Sequence, residues 1–168
     1  MAGAASAAGP GFTLRPATAA DLDAVLIIER VSFSDPPWSR RSFASLLDDP
    51  RVRFTVACAP EVAGYVVTWR VADEGEVANL AVAPDRRRQG IGQMLLDAAM
   101  VEAVAAGARS LYLEVRESNR AARALYGGRG FRAMGRRPSY YRNPVEDALL
   151  LRCQVAPAPT PAPTPAVR

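Results

Sequence analysis

The chain contains neither lysine nor histidine: all 21 of its basic residues are arginine. That double absence excludes Schiff-base lysines, Ser–His and Cys–His nucleophile pairs and histidine-ligated zinc. Arginine stays protonated and cannot act as a base. General acid–base work therefore falls to glutamate, aspartate, tyrosine, cysteine, a chain terminus or a bound water. Cysteine is scarce as well. Cys58 and Cys153 are the only two, and each stands in an apolar strand-like run, where it packs as a small hydrophobe and builds no disulfide framework. No apolar run approaches the roughly 20 residues that cross a bilayer. The opening Met1-Ala2-Gly3-Ala4-Ala5-Ser6 lacks the basic start and leucine-rich stretch of a secretory signal. The expectation is a cytoplasmic protein without membrane association or metal.

What is present fits one domain. A chain of 168 residues with 49% hydrophobic and 23% charged content has enough apolar material for a core. The net charge of +4 and pI near 9.6 are spread along the chain, with no nucleic-acid recognition motif beside them. They read as a soluble basic surface with a local anion site, any nucleic-acid contact being incidental.

Residues 1–11 are rich in alanine and glycine and are expected to be flexible. Residues 156–168 form a Pro/Ala/Thr-rich tail, disordered or polyproline-like. Between them, Phe12-Thr13-Leu14-Arg15 alternates as a first strand. Thr18 caps a helix with Asp21 at the capping-box position, and Leu22, Val25, Leu26 and Ile28 form its apolar side. Ser39 opens a second helix carrying Phe43, Leu46 and Leu47. Strands are expected at 52–59, 62–71 and 75–82. A long helix follows from Met94 and is closed by Gly107. Ser110 to Val115 reads as a strand, Asn119 to Tyr126 as a short helix stopped by Gly127-Gly128, and 131–134 and 148–153 as two last strands. The order β-α-α-β-β-β-α-β-α-β-β implies a mixed α/β domain over 12–155, with a partly antiparallel sheet.

The most informative stretch is Arg87-Arg88-Gln89-Gly90-Ile91-Gly92, between the strand-like Ala78 to Val82 and the long helix. A strand, a glycine-bearing turn and a helix start leave several N–H groups without intrachain partners. Together with the helix dipole and the arginines they suit an anionic diphosphate. The rival phosphate loops are excluded by spelling. Leu95 stands where a dinucleotide fingerprint needs its third glycine, and a triphosphate P-loop needs a lysine. The alternative is a tight turn with a basic rim.

Downstream patches decide between these. Asn79-Leu80-Ala81-Val82-Ala83-Pro84, the glycine loop, Leu113-Glu114-Val115-Arg116-Glu117-Ser118-Asn119 and Ala124-Leu125-Tyr126-Gly127-Gly128-Arg129-Gly130-Phe131 occur in order. Tyr140-Tyr141 and Glu146-Asp147-Ala148 follow. With these motifs, residues 12–153 resemble the GNAT N-acyltransferases, and within them the RimI-type ribosomal-protein-alanine N-acetyltransferases. The resemblance implies the GNAT fold, a mixed and mostly antiparallel central sheet flanked by helices, and acetyl-CoA as donor. It implies that Leu80, Ala81 and Val82 line the acetyl end and that Arg87, Arg88, Gln89, Gly90, Ile91, Gly92 and Gln93 wrap the pyrophosphate. Asn119 is implied to contact the coenzyme, Glu114 to accept a proton and Tyr126 to donate one. The implied acceptor is the N-terminal alanine of small-subunit ribosomal protein eighteen, modified by a monomer or weak dimer.

The chemistry asks for such a pair, because an α-ammonium must lose a proton before attacking a thioester and the departing thiolate gains from an acid. Direct attack needs no covalent enzyme intermediate. By position alone, Glu114 can equally pair with Arg116 or Arg120, Tyr126 can be a core aromatic, and Asn119 can be a helix cap. Trp38 and Tyr140-Tyr141 either border the acceptor groove or staple loops to the core. Two rival functions stay open at this level: a GNAT enzyme of broader peptide or small-amine specificity, and a non-catalytic acyl-CoA-binding module.

Overall fold

A computed structural model describes residues 6–7 and 11–155. Its elements are β1 Ser6–Ala7, β2 Thr13–Pro16, α1 Leu22–Ser32, α2 Arg40–Leu47, β3 Val52–Cys58, β4 Val62–Val71 and β5 Glu74–Val82. Then come α3 Ile91–Ala105, β6 Ser110–Arg116, α4 Arg120–Gly128, β7 Arg132–Arg142 and β8 Val145–Gln154. One eight-stranded sheet runs β1-β2-β3-β4-β5-β6-β8-β7. Every neighbouring pair is antiparallel except β5 and β6. This is the mixed, mostly antiparallel sheet flanked by helices that the motifs imply.

The sheet separates two cores. On one face Leu95, Leu96 and Ala99 of α3 and Tyr126 of α4 pack with Val66, Leu111, Leu113 and Leu151. On the other, Leu22, Val25, Leu26 and Ile28 of α1 and Phe43 of α2 pack with Val56, Tyr65 and Val67. Alternation along β3 and β4 feeds both, so these central strands read as continuous apolar runs. Helix α3 can lie close over β4 because Gly64 carries no side chain: a Cβ there would stand 3.1 Å from Leu95 Cδ1 and 3.3 Å from Ile91 Cγ2 of that helix.

Several elements differ from the sequence reading, each for a physical reason. Thr18 caps a single 3-10 turn, Ala19–Asp21, and the α-helix proper starts at Leu22. Ser6 and Ala7, within the segment expected to be flexible, pair with Leu14 and Thr13. Helix α4 runs through Gly127-Gly128 and ends before Gly130, whose φ of +87° makes it the residue that turns the chain. Gly107, at φ +94°, closes α3 as expected. The last two strands are far longer than 131–134 and 148–153. They form a hairpin reaching Arg142 and Val145, so Tyr140 and Tyr141 stand on a strand and not in a loop. Strand β7 is an edge strand exposed along nearly its whole length, so no buried alternation marks it, and Pro138 is tolerated there. The Pro/Ala/Thr-rich tail from residue 156 lies outside the described residues.

The turn before α1 is fastened by charge. Both oxygens of Asp21 accept from the Arg15 guanidinium at 2.7 Å, and the Thr18 N–H donates to the same carboxylate at 2.8 Å. The Arg15 contact, helped by that backbone bond, holds the Asp21 carboxyl down at about 2. A carboxyl depressed on folding contributes stability that is present above its unfolded pKa near 4 and lost as pH falls toward 2. Denaturant unfolding between pH 5 and 2 is therefore expected to show a fall in stability from about pH 4 downward. Asp21→Asn removes part of that fall; an unchanged acid slope contradicts the assignment.

Candidate active site

The site begins where the sheet comes apart. Strands β5 and β6 pair at Glu74–Ser110, Gly75–Leu111 and Glu76–Tyr112, and there the parallel ladder ends. Both strands continue, to Val82 and to Arg116. On the opposite edge of β5 the register slips at the same level. Val67 pairs with Asn79 and Thr68 with Val77, leaving Ala78 as an extra residue. A bulge bends its strand and reverses the alternation of side chains beyond it. Val77 faces the α3 core; after the bulge Leu80 and Val82 turn to that face, while Ala81 enters the α1 core and Asn79 meets Glu29 of α1. The result is a gap whose β5 wall, residues 78–82, has no strand partner on the β6 side.

Beyond that wall the chain makes the candidate anion cradle. A 3-10 turn at Pro84–Arg86 leads to Arg88 at φ +64° and Gly90 at φ +81°, the N-cap of α3. The Met94 N–H is the first to bond back, to the Gly90 carbonyl at 3.0 Å. The amides of Ile91, Gly92 and Gln93 precede that bond and project from the helix start, at the positive end of its dipole. Ile91 is 1% exposed and anchors the turn in the core. The three arginines differ in use. Arg87 bends back, donating to the Val82 carbonyl at 3.1 Å and the Ser32 hydroxyl at 3.3 Å, and so braces the loop. Arg88 and Gln89 are exposed around the cradle.

Glu114 projects from β6 on the face opposite the Leu113–Val115 core. It lines a cleft of about 330 Å³ together with Trp69, Glu76, Tyr112 and Arg137. Its ion-pair partner is neither Arg116 nor Arg120 but Arg137 of β7, at 2.7 Å. It also accepts the Tyr140 hydroxyl, and that contact raises the Tyr140 pKa. The Tyr141 phenol is pushed up to about 12, by burial first and by the Glu114 charge second. Tyr126 lies on the other face, 7% exposed, with its ring 5.8 Å from Phe131. Burial pushes it up to about 12, so it holds its proton throughout the neutral range. Glu114 and Tyr126 thus sit on opposite sides of β6 and can address a common point only through the gap. Asn119 does cap α4, its side-chain oxygen accepting the Ala122 N–H at 3.1 Å. That leaves its amide nitrogen as the donor for a ligand.

The aromatic candidates also find definite places. Trp38 is half-buried against Phe43, with ring centroids 5.4 Å apart. Tyr140 is exposed and meets Tyr141 edge to face at 5.2 Å. Sequence reasoning missed the residue that joins these regions. Arg116 pairs with Asp35 and, at 3.1 Å, with Glu146; it donates to the Asn143 and Pro144 carbonyls and lies 4.1 Å over the Tyr141 ring. Asp35 in turn accepts the N–H groups of Arg142 and Asn143. The Trp38 loop is thereby stitched to the β7–β8 hairpin beside Glu114. Contacts spanning more than 80 residues, as Arg116–Asp35 does, leave no local signal in a single sequence.

Known proteins share this chain's sequence pattern and fold. The model of the acetyltransferase (GNAT) family matches residues 22–131. A ribosomal protein bS18-alanine N-acetyltransferase of Escherichia coli (strain K12) is 36% identical over 138 residues, covering 81% of this chain and 93% of that protein. The crystal structure of the ribosomal-protein-S18-alanine N-acetyltransferase from Escherichia coli matches with a TM-score of 0.82 and 33% identity, over 91% of this chain and 99% of that one. A chain of the NatC complex bound to Gag peptide and CoA shares the fold at TM-score 0.75 and 23% identity, over 85% and 98%.

The cradle makes a direct prediction. Gly90→Val puts a β-branched side chain at φ +81°, with open space around it but an unfavourable backbone. Calorimetric titration with acetyl-CoA is expected to show about a tenfold or greater loss of affinity. Wild-type affinity contradicts the role of the loop.

Proposed function

The chain belongs to the GNAT acetyltransferase family, and within it to the RimI-type ribosomal-protein-alanine N-acetyltransferases, and from that premise we propose that it moves acetyl from acetyl-CoA to the N-terminal alanine of ribosomal protein bS18. The chain is an N-acetyltransferase by family. The observation that carries the assignment of roles is the β5–β6 gap, with Glu114 on one face of β6 and Tyr126 on the other. The pyrophosphate rests on the amides of Ile91, Gly92 and Gln93, with Arg88 and Gln89 beside it and Arg87 bracing the loop. Leu80, Ala81 and Val82 offer backbone groups to the pantetheine arm and thioester, and Asn119 offers its amide. Acetyl-CoA supplies an activated acyl group and a thiolate leaving group.

Glu114 takes the proton of the incoming α-ammonium, directly or through a water; the freed amine attacks the thioester carbonyl, the C–S bond breaks, and the nitrogen releases its second proton to solvent as the amide forms. Tyr126 gives its proton to the departing sulfur and regains one from solvent; with its pKa pushed up to about 12 the phenol is neutral and protonated near pH 7. Trp38, Tyr140 and Tyr141 border the acceptor, which approaches along the Glu114 face between the Trp38 loop and the hairpin. The chain is expected to act in the cytoplasm; no described helix is long and apolar enough to cross a membrane.

The test is a panel of peptides incubated with acetyl-CoA and read by mass spectrometry. A peptide beginning with the alanine of bS18 is expected to gain one acetyl group on its α-amine. Modification confined to lysine side chains or small amines would sink the substrate while leaving the family in place. The assigned roles have their own test. Glu114→Gln and Tyr126→Phe should each lower kcat by about 10² or more while acetyl-CoA affinity changes little. Wild-type turnover in both removes the roles.

A further inference from the structure

One buried titratable group takes no part in this chemistry. Glu29, near the end of α1, is 2% exposed. Its Oε1 accepts the backbone N–H of Trp38 at 2.8 Å. Its Oε2 accepts the Tyr65 hydroxyl and, at 3.0 Å, the Asn79 side-chain amide. These donors are neutral, and they come from three places: the loop before α2, the centre of β4, and β5. Asn79 is the residue directly after the bulge at Ala78.

We propose that Glu29 is a positioning residue that sets the Trp38 loop and the displaced arm of β5 from a single buried carboxylate. The inference rests on the reading of Trp38 as bordering the acceptor and of β5 as the donor wall. A carboxylate inside a core is a poor device for stability, since an apolar group of similar size avoids its desolvation. It is a good device for geometry, because it must find donors and can hold several at once. Here it draws the Asn79 amide to the α1 face. By the alternation of a strand, that turns Leu80 toward the α3 face. It also draws in the Trp38 backbone, whose ring then packs on Phe43. Tyr65 keeps its proton, its pKa raised by burial first and by Glu29 second, and so remains a donor to the network. Glu29 is not a proton acceptor for substrate, because it is sealed beneath Trp38 and the sheet.

Glu29→Gln is the informative variant in the full chain. Glutamine keeps the shape but sets an NH₂ group against a donor, so one of the three contacts must break. Acceptor KM is expected to rise about tenfold and acetyl-CoA Kd several-fold, while the pH profile of kcat stays in place. In a Trp69→Phe background Trp38 is the sole indole, and its emission should shift red with greater iodide quenching. Asn79→Ala cuts only the β5 arm: it should weaken acetyl-CoA binding and leave Trp38 emission unchanged. Tyr65→Phe, which removes neither arm, should leave both readouts near wild type. Unchanged Trp38 emission and acetyl-CoA Kd in Glu29→Gln overturn the proposal, as does a displaced pH profile. Should Glu29→Gln fail to fold, wild-type acetyl-CoA affinity in Asn79→Ala overturns it. Emission and Kd need no acceptor, so a wild-type enzyme inactive on alanine peptides would refute the substrate without deciding the fate of Glu29.

Discussion

One extra residue in one strand governs this molecule. Ala78 has no partner on β4, and at the same level β5 leaves β6. Had the ladder continued, residues 78–82 would be covered on both edges, and Leu80 and Val82 would face the α1 core. The bulge instead frees one row of backbone groups and turns two apolar side chains toward the α3 face. The chain then enters a turn that ends at the start of α3. The proposed donor wall and anion cradle are therefore one continuous stretch of backbone, shaped by conformation more than by side-chain identity. The close approach of α3 over Gly64 holds the start of that helix against the same strand.

The proposed acceptor side is built by charge and aromatic contacts. With histidine and lysine absent, Glu114 is surrounded by partners that do not exchange protons near neutrality: an arginine and phenols with raised pKa values. The same economy recurs around Arg116, which gathers Asp35, Glu146, two carbonyls and the Tyr141 ring. A guanidinium suits this role because its planar fork of donors satisfies several acceptors at once while its face stacks on a ring. The two halves of the site meet at β6, whose alternation sends Glu114 to one face and Leu113 and Val115 to the other.

Much of this was legible in the residues themselves. Strands β3, β4 and β5 fall within about a residue of their expected bounds, because apolar runs and turn residues such as Pro60 mark them sharply. The glycine loop, the caps at Ser39 and Asn119 and the stop at Gly107 follow from local backbone requirements and are in place. What was illegible is non-local or unpatterned. Asn79-Leu80-Ala81-Val82 reads as any buried strand, and nothing in it announces a bulge at Ala78. Strand β7, exposed on both faces, shows no alternation, so Tyr140 and Tyr141 look like loop residues. Arg137 lies two strands from Glu114 in the sheet, and its pairing depends on the hairpin register. The Glu29–Asn79 contact joins residues 50 apart.

In the proposed mechanism the freed edge of β5 is the wall that binds the donor. The most direct measurement is residue-resolved amide hydrogen exchange with and without saturating acetyl-CoA. Slowed exchange concentrated at the amides of residues 80–82 that point away from β4 and at residues 88–93, with the β5 amides bonded to β4 little changed, is the predicted result. No added protection at 80–82 in a protein that binds acetyl-CoA would contradict it, and the gap between β5 and β6 would then need another explanation.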